Sequence, residues 1–149
     1  MKKIIIIILY TLFFVQNTFG QFTSIPDPVF ENKLIQLGID SDGTIDGKIL
    51  TADALGVVDL KLSSTQVAGT LQNLIGIEAF VDLVALRCVG HDLTNLDLSA
   101  NVLLDSLYCS DNNLTSIDVS TCLGLKELDC YDNLLTNLDI SNNDSLTVF

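Results

Sequence analysis

A 21-residue phrase, said three times without a gap, constrains this chain more than any other feature. Leu83–Leu103, Leu104–Gly124 and Leu125–Ser145 superpose residue for residue, and Leu146 opens a further copy. Leu83, Leu104, Leu125 and Leu146 form one column; Leu86, Leu107, Leu128 and Phe149 form a second; Cys88, Cys109 and Cys130 form a third. A chain with so short a period does not close around one central core. Each copy buries its apolar columns against the next, so the fold grows turn by turn. Within each phrase the apolar motif occurs twice, as in Leu104-x-x-Leu107-x-Cys109-x-x-Asn112 followed by Leu114-x-x-Ile117-x-Val119-x-x-Cys122. That doubling predicts two short parallel strands per turn.

The heading L-x-x-L-x-C-x-x-N resembles a leucine-rich repeat, and the doubled phrase is similar to the nested 21-residue (IRREKO-like) class of secreted bacterial leucine-rich-repeat proteins. The resemblance covers Val57 to the end. The Ile25-Pro-Asp-Pro-x-Phe-Glu31 opening and the later Leu37-Gly-Ile-Asp40 also resemble the N-terminal cap of secreted members. It implies a β-rich solenoid, a right-handed superhelix with a short N-terminal helical cap, in a surface or exported binding protein.

Three regions follow. Residues 1–20 read as a signal peptide, with Lys2 and Lys3 before an apolar run from Ile4 to Val15 and Thr18-Phe19-Gly20 at the cut. The run is too short to span a bilayer comfortably, so no membrane insertion is expected after its removal, and the product is secreted or at the cell surface. Residues 21–56 form the cap, and residues 57–149 hold four turns and an incomplete fifth. Without the signal, five basic groups face 19 acidic ones, a net of -14. Such a surface repels nucleic acid and anionic lipid.

In the cap, Asp27 and Pro28 are a helix N-cap and first position. Val29, Phe30, Leu34, Ile35 and Leu37 recur at helical spacing, and Gly38 ends the helix. Asp42, Asp46 and Asp53 fall on ligand positions of a calcium loop, with Gly47 at the turn, but Thr44 replaces an acid and no second helix follows. They are weak calcium candidates, and a glycine-rich turn is the simpler reading. Val57, Leu60, Leu62 and Val67 match the columns of Leu83, Leu86, Cys88 and Leu93 at an offset of 26 residues. The surplus is expected between Val67 and Leu83, where Leu74–Phe80 suits a short helical turn.

Alternation along the first strand of each turn sends Leu86 and Cys88 inward and Ala85, Arg87 and Val89 outward. The outward sets of the next turns are Ser106, Tyr108, Ser110 and then Glu127, Asp129, Tyr131. This face changes from turn to turn, which a recognition surface requires, and Arg87, Tyr108, Glu127, Asp129 and Tyr131 are the candidate binding strip. An ordinary solvated sheet face is the competing reading. The second face repeats Asp97, Asp118 and Asp139, expected to accept bonds from nearby hydroxyls and amides rather than to ladder calcium. Cys88, Cys109 and Cys130 lie side by side at strand spacing, too far for disulfides, and read as buried thiols. His91 takes the place of Asn112 and Asn133, a column that bonds turn backbone. The chain carries no catalytic motif and implies no cofactor. Two functions remain: an interaction module for a protein or a glycan, or a structural spacer or truncated targeting arm of a larger exported protein or enzyme.

Overall fold

A computed structural model describes residues 21–63 and 69–147. The proposed signal peptide, Val67 and Phe149 therefore fall outside the described residues. Two sheets organise the chain. Strand β1 (Phe22–Ser24) pairs antiparallel with β2 (Lys48–Leu50), and β3 (Asp59–Lys61), β4 (Ala85–Arg87), β5 (Ser106–Tyr108) and β6 (Glu127–Asp129) form a parallel sheet in that order. Asp59 stands opposite Ala85, Ala85 opposite Ser106, and Ser106 opposite Glu127, so the register steps are 26, 21 and 21 residues. The repeat period is thus the distance from one parallel strand to the next. Leu83, Leu86 and Cys88, and their equivalents Leu104, Leu107 and Cys109, lie fully buried.

Only the first half of each turn is a strand. The expected second strands do not form among the described residues, although their alternation holds: Leu96 and Leu98, then Ile117 and Val119, are buried, and the residues between them are exposed. The reason is local bonding. Asp97, Asp118 and Asp139 each accept the backbone N–H two residues on, from Ser99, Ser120 and Ser141, at 2.9–3.0 Å. The amide at that place is satisfied within its own turn and is not offered to the next.

The N-terminal segment joins the same core. Helix α1 (Pro28–Gln36) starts as its sequence requires, with Asp27 Oδ1 accepting from Val29 and Phe30 and proline at the first position. Its other oxygen reaches 45 residues along the chain and accepts from Gln72 and Asn73, so one carboxylate caps the helix and ties it to the repeats. The buried face differs from the expected stripe. Phe30 and Leu34 are buried with Glu31 and Lys33, whereas Leu37 is 45% exposed. Glu31 is drawn in because its carboxylate accepts three consecutive amides, those of Asp46, Gly47 and Lys48. Phe30 also packs on Phe80, ring centroids 6.4 Å apart. A four-residue helix, α2 (Thr51–Ala54), follows β2.

The surplus of the 26-residue step lies earlier than expected. Leu71, not Val67, holds the place of Leu93: its N–H donates to His91 Nδ1, as the N–H of Leu93 donates to Asn112 Oδ1. The offset is therefore 26 at Leu62 and 22 at Leu71, so most of the surplus falls between them. The last step, to an offset of 21, comes between Leu74 and Ile77. There Gly76, at φ 104°, opens a 3-10 turn over Ile77–Ala79, the short helical turn expected in that stretch.

Candidate functional site

The outward strip of the parallel sheet is a chain of side chains linked sideways. Asp59 on β3 takes Lys61 at 2.9 Å and Arg87 at 2.8 Å. The Arg87 guanidinium lies over the Tyr108 ring, 4.7 Å from its centroid, within range of a cation–π contact. The Tyr108 hydroxyl donates to Glu127, and that bond, more than any other influence, raises the phenol's pKa. Parallel pairing in register produces this arrangement, because Arg87 stands opposite Tyr108 and Tyr108 opposite Asp129. Arg87, Tyr108, Glu127 and Asp129 are half-buried, and Tyr131 is 60% exposed with its hydroxyl 3.4 Å from Asp111. Ser110, expected to face out, is buried instead, 3.4 Å from an Asp129 oxygen. The five strip residues thus share one face, and each of them is already engaged with a neighbour.

Behind that face stands a polar column that sequence reasoning located and geometry explains. Asn112 Nδ2 donates to the carbonyls of Cys88, Cys109 and Ser110 while its Oδ1 accepts from Leu93. Asn133 repeats the pattern one turn on. His91 substitutes faithfully: Nε2 donates to Leu62 O at 2.6 Å and Nδ1 accepts from Leu71. Burial, foremost, and nearby Lys33 lower its pKa, so the neutral ring is favoured. The residue before this column, Gly90, Asp111 or Asp132, adopts positive φ, which glycine and aspartate tolerate best.

The cysteines are free thiols. Cys88 and Cys109 are fully buried, and burial pushes the Cys88 thiol up to about 12 and that of Cys109 up as well. Neither acts as a nucleophile at neutral pH. Cys122 is buried on the other edge, its sulfur 3.8 Å from Asn101 O.

The weak calcium candidates are not brought together. Asp42 accepts from the Thr44 amide and hydroxyl, Asp46 pairs with Lys48, and Asp53 accepts from the Ser41 amide and hydroxyl. Each carboxylate has a private partner, and among the described residues no three acidic, histidine or cysteine side chains converge as a metal site. The Asp97, Asp118 and Asp139 column is likewise satisfied locally. Serine amides and hydroxyls hold all three carboxyls below the ordinary value, the amide leading for Asp97 and Asp139 and the hydroxyl for Asp118. Two open grooves run along this second face, one lined by Thr94, Asn95 and Asp97, the other by Thr115, Asp118 and Asp139. No residue pattern announces them in advance.

No family model matches the sequence, and no curated protein matches it either. Solved structures do. The functional domain of InlJ from Listeria monocytogenes, which includes a cysteine ladder, is 30% identical with a TM-score of 0.75; the match covers 87% of this chain and 28% of that one. This chain has a leucine-rich-repeat fold. An internalin, InlF, from Listeria monocytogenes strain 4b F2365 shares that fold at 18% identity and a TM-score of 0.60, over 83% of this chain and 44% of its own. The chain therefore spans less than half the length of either leucine-rich-repeat neighbour.

Proposed function

We propose that this chain is a secreted or cell-surface leucine-rich-repeat interaction module of the nested 21-residue class. It binds a protein partner, or a glycan, across Arg87, Tyr108, Glu127, Asp129 and Tyr131. One observation carries the reading: Arg87 is held between Asp59 and the Tyr108 ring, and Tyr108 by Glu127. A face of unlike side chains already fixed in place loses little further entropy when a partner docks. The grooves of the second face offer no such variety, since their carboxylates repeat from turn to turn and are spent on their own serines.

Export rests on the pattern of residues 1–20. Residues 21–56 act as the cap, consistent with Phe30, Leu34 and Ile49 sharing one buried cluster with Leu60 and Leu71. Residues 57–149 form a right-handed superhelical array, with Cys88, Cys109 and Cys130 as a ladder like the one InlJ includes. The second reading, a spacer or targeting arm, draws on the same contacts: Arg87, Tyr108 and Glu127 spend their polar groups on one another.

Protein and glycan arrays probed with the chain and with a Tyr108→Ala, Asp129→Asn double variant separate the two. The module reading expects at least one bound ligand, with the variant weaker by about tenfold or more and its circular dichroism unchanged. Equal binding by both removes the strip as the binding site, and none by either favours the spacer.

A further inference from the structure

Away from the strand face, one column keeps an apolar residue at an outward place through four turns. Leu55, Val81, Val102 and Leu123 hold one place in four successive turns, at steps of 26, 21 and 21 that match the strand register. They are 56%, 43%, 50% and 64% exposed. The residues just before three of them are tied turn to turn: Asn101 Nδ2 donates to Phe80 O at 2.9 Å, and the Cys122 thiol lies 3.8 Å from Asn101 O. The Gly56 N–H donates to Asp82 Oδ2 at 2.9 Å, which ties the residue after Leu55 to the residue after Val81. The four aliphatic side chains therefore hold equivalent exposed places in successive turns, a row called the ridge. Scattered exposed aliphatics are ordinary on a protein surface, but a registered row of four is a contact surface awaiting cover. The next place in the column is Asp144, exposed, so the ridge ends on a carboxylate.

We propose that this ridge, distinct from the strand-face strip, seats the apolar stripe of a basic amphipathic helix from a partner protein. The helix lays its aliphatic side chains along Leu55–Leu123 and sets a lysine or arginine against Asp144. The dimensions agree. Stacked turns advance about 4.8 Å and an α-helix about 5.4 Å, so over four places the two repeats drift apart by only about 2 Å. Charge selects the partner. The chain carries a net charge of -12, Asp82 and Asp144 edge the ridge, and the nearby cation Lys126 is spent on Asp105 at 2.6 Å. A second copy brings the same negative charge, and an anionic bilayer repels it likewise; a basic helix is attracted and oriented.

The test titrates the chain with two labelled helical peptides that share one leucine stripe, one flanked by lysines and the other by glutamates. The lysine peptide binds; the glutamate peptide binds at least about tenfold more weakly, and a Val81→Ser, Val102→Ser, Leu123→Ser variant loses about tenfold for the lysine peptide. These side chains are exposed, so the variant keeps its circular dichroism. An Asp97→Asn, Asp118→Asn, Asp139→Asn variant, which removes charge from another face, loses less than the apolar variant does. The proposal is overturned if the apolar variant binds the lysine peptide as well as the unaltered chain, since charge alone then explains capture. Equal binding of the two peptides overturns it too. So does ridge-dependent self-association in sedimentation, or ridge-dependent adsorption to phosphatidylcholine vesicles, each of which names a different occupant.

Discussion

His91 shows what a residue must supply to stand in a repeat column. Asn112 offers a donor to one carbonyl stack and an acceptor to the preceding turn's amide, and a neutral imidazole protonated on Nε2 offers the same pair. It adds a titration that asparagine lacks. Burial lowers the ring's pKa from its ordinary 6.5, so the unfolded chain takes up the proton first as pH falls. Stability from the neutral ring is complete above 6.5 and is lost as pH drops through the lowered folded value. Protonating Nδ1 also ends its bond to the Leu71 amide. His91→Asn should retain the fold and flatten the loss of melting temperature between about pH 7 and pH 5. Asp40 works in the opposite sense, because burial raises its carboxyl; the readout is therefore the difference between the two melting profiles. Parallel profiles would show that His91 does not titrate in that window.

At the scale of elements, the junction between the N-terminal segment and the first turn is the most tightly built. Gly76 stands at φ 104°, and a Cβ there would meet Ile25 Cδ1 at 2.2 Å and Ser24 O at 2.6 Å. Gly76→Ala therefore strains the backbone and wedges two elements apart, costing about 2 kcal/mol or more by urea unfolding. Gly43 has a similar positive φ, 68°, with nothing within 4 Å of its would-be Cβ. Gly43→Ala isolates the backbone penalty and should cost about 1 kcal/mol. Equal losses would locate the whole effect in backbone strain.

How much of such an element can be read in advance depends on where its bonds go. The leucine columns were legible because the neighbours that bury them recur every 21 residues. Asp27 as a cap was legible from its proximity to Pro28, but its second bond, to Gln72 and Asn73, is not. Glu31 and Lys33 carry charge on a face that periodicity assigns to leucines, and Glu31 is buried by amides 15 to 17 residues away. Val67 and Leu71 both suit the leucine column by type; the His91 bond decides for Leu71. In the candidate strip, alternation identified which side chains share a face, and long-range register determined that Arg87 rests on Tyr108.

Across the described residues, burial of equivalent residues holds through Leu125 and Leu128 and is lower after them, and the thiols report it. Cys88 and Cys109 are fully buried, whereas Cys130 is partly exposed; in the same turn Leu135, Leu138 and Ile140 are only partly buried, while Leu114 and Val119 one turn earlier are fully so. In a stacked array each turn is stabilised by its neighbours, so local opening follows that gradient. A thiol reagent reacts through the thiolate, burial raises every one of these thiols, and Cys130 is the one the reagent can reach without opening. Native labelling should therefore modify Cys130 first, at a rate insensitive to mild urea. Cys88, Cys109 and Cys122 should follow together, at a rate that climbs with urea as cooperative unfolding does. Peptide mapping of the first-labelled site settles the order. Labelling of Cys88 before Cys130 would mean that the array opens from its N-terminal side and that the contacts of Asp27 and Phe30 do not hold that end closed.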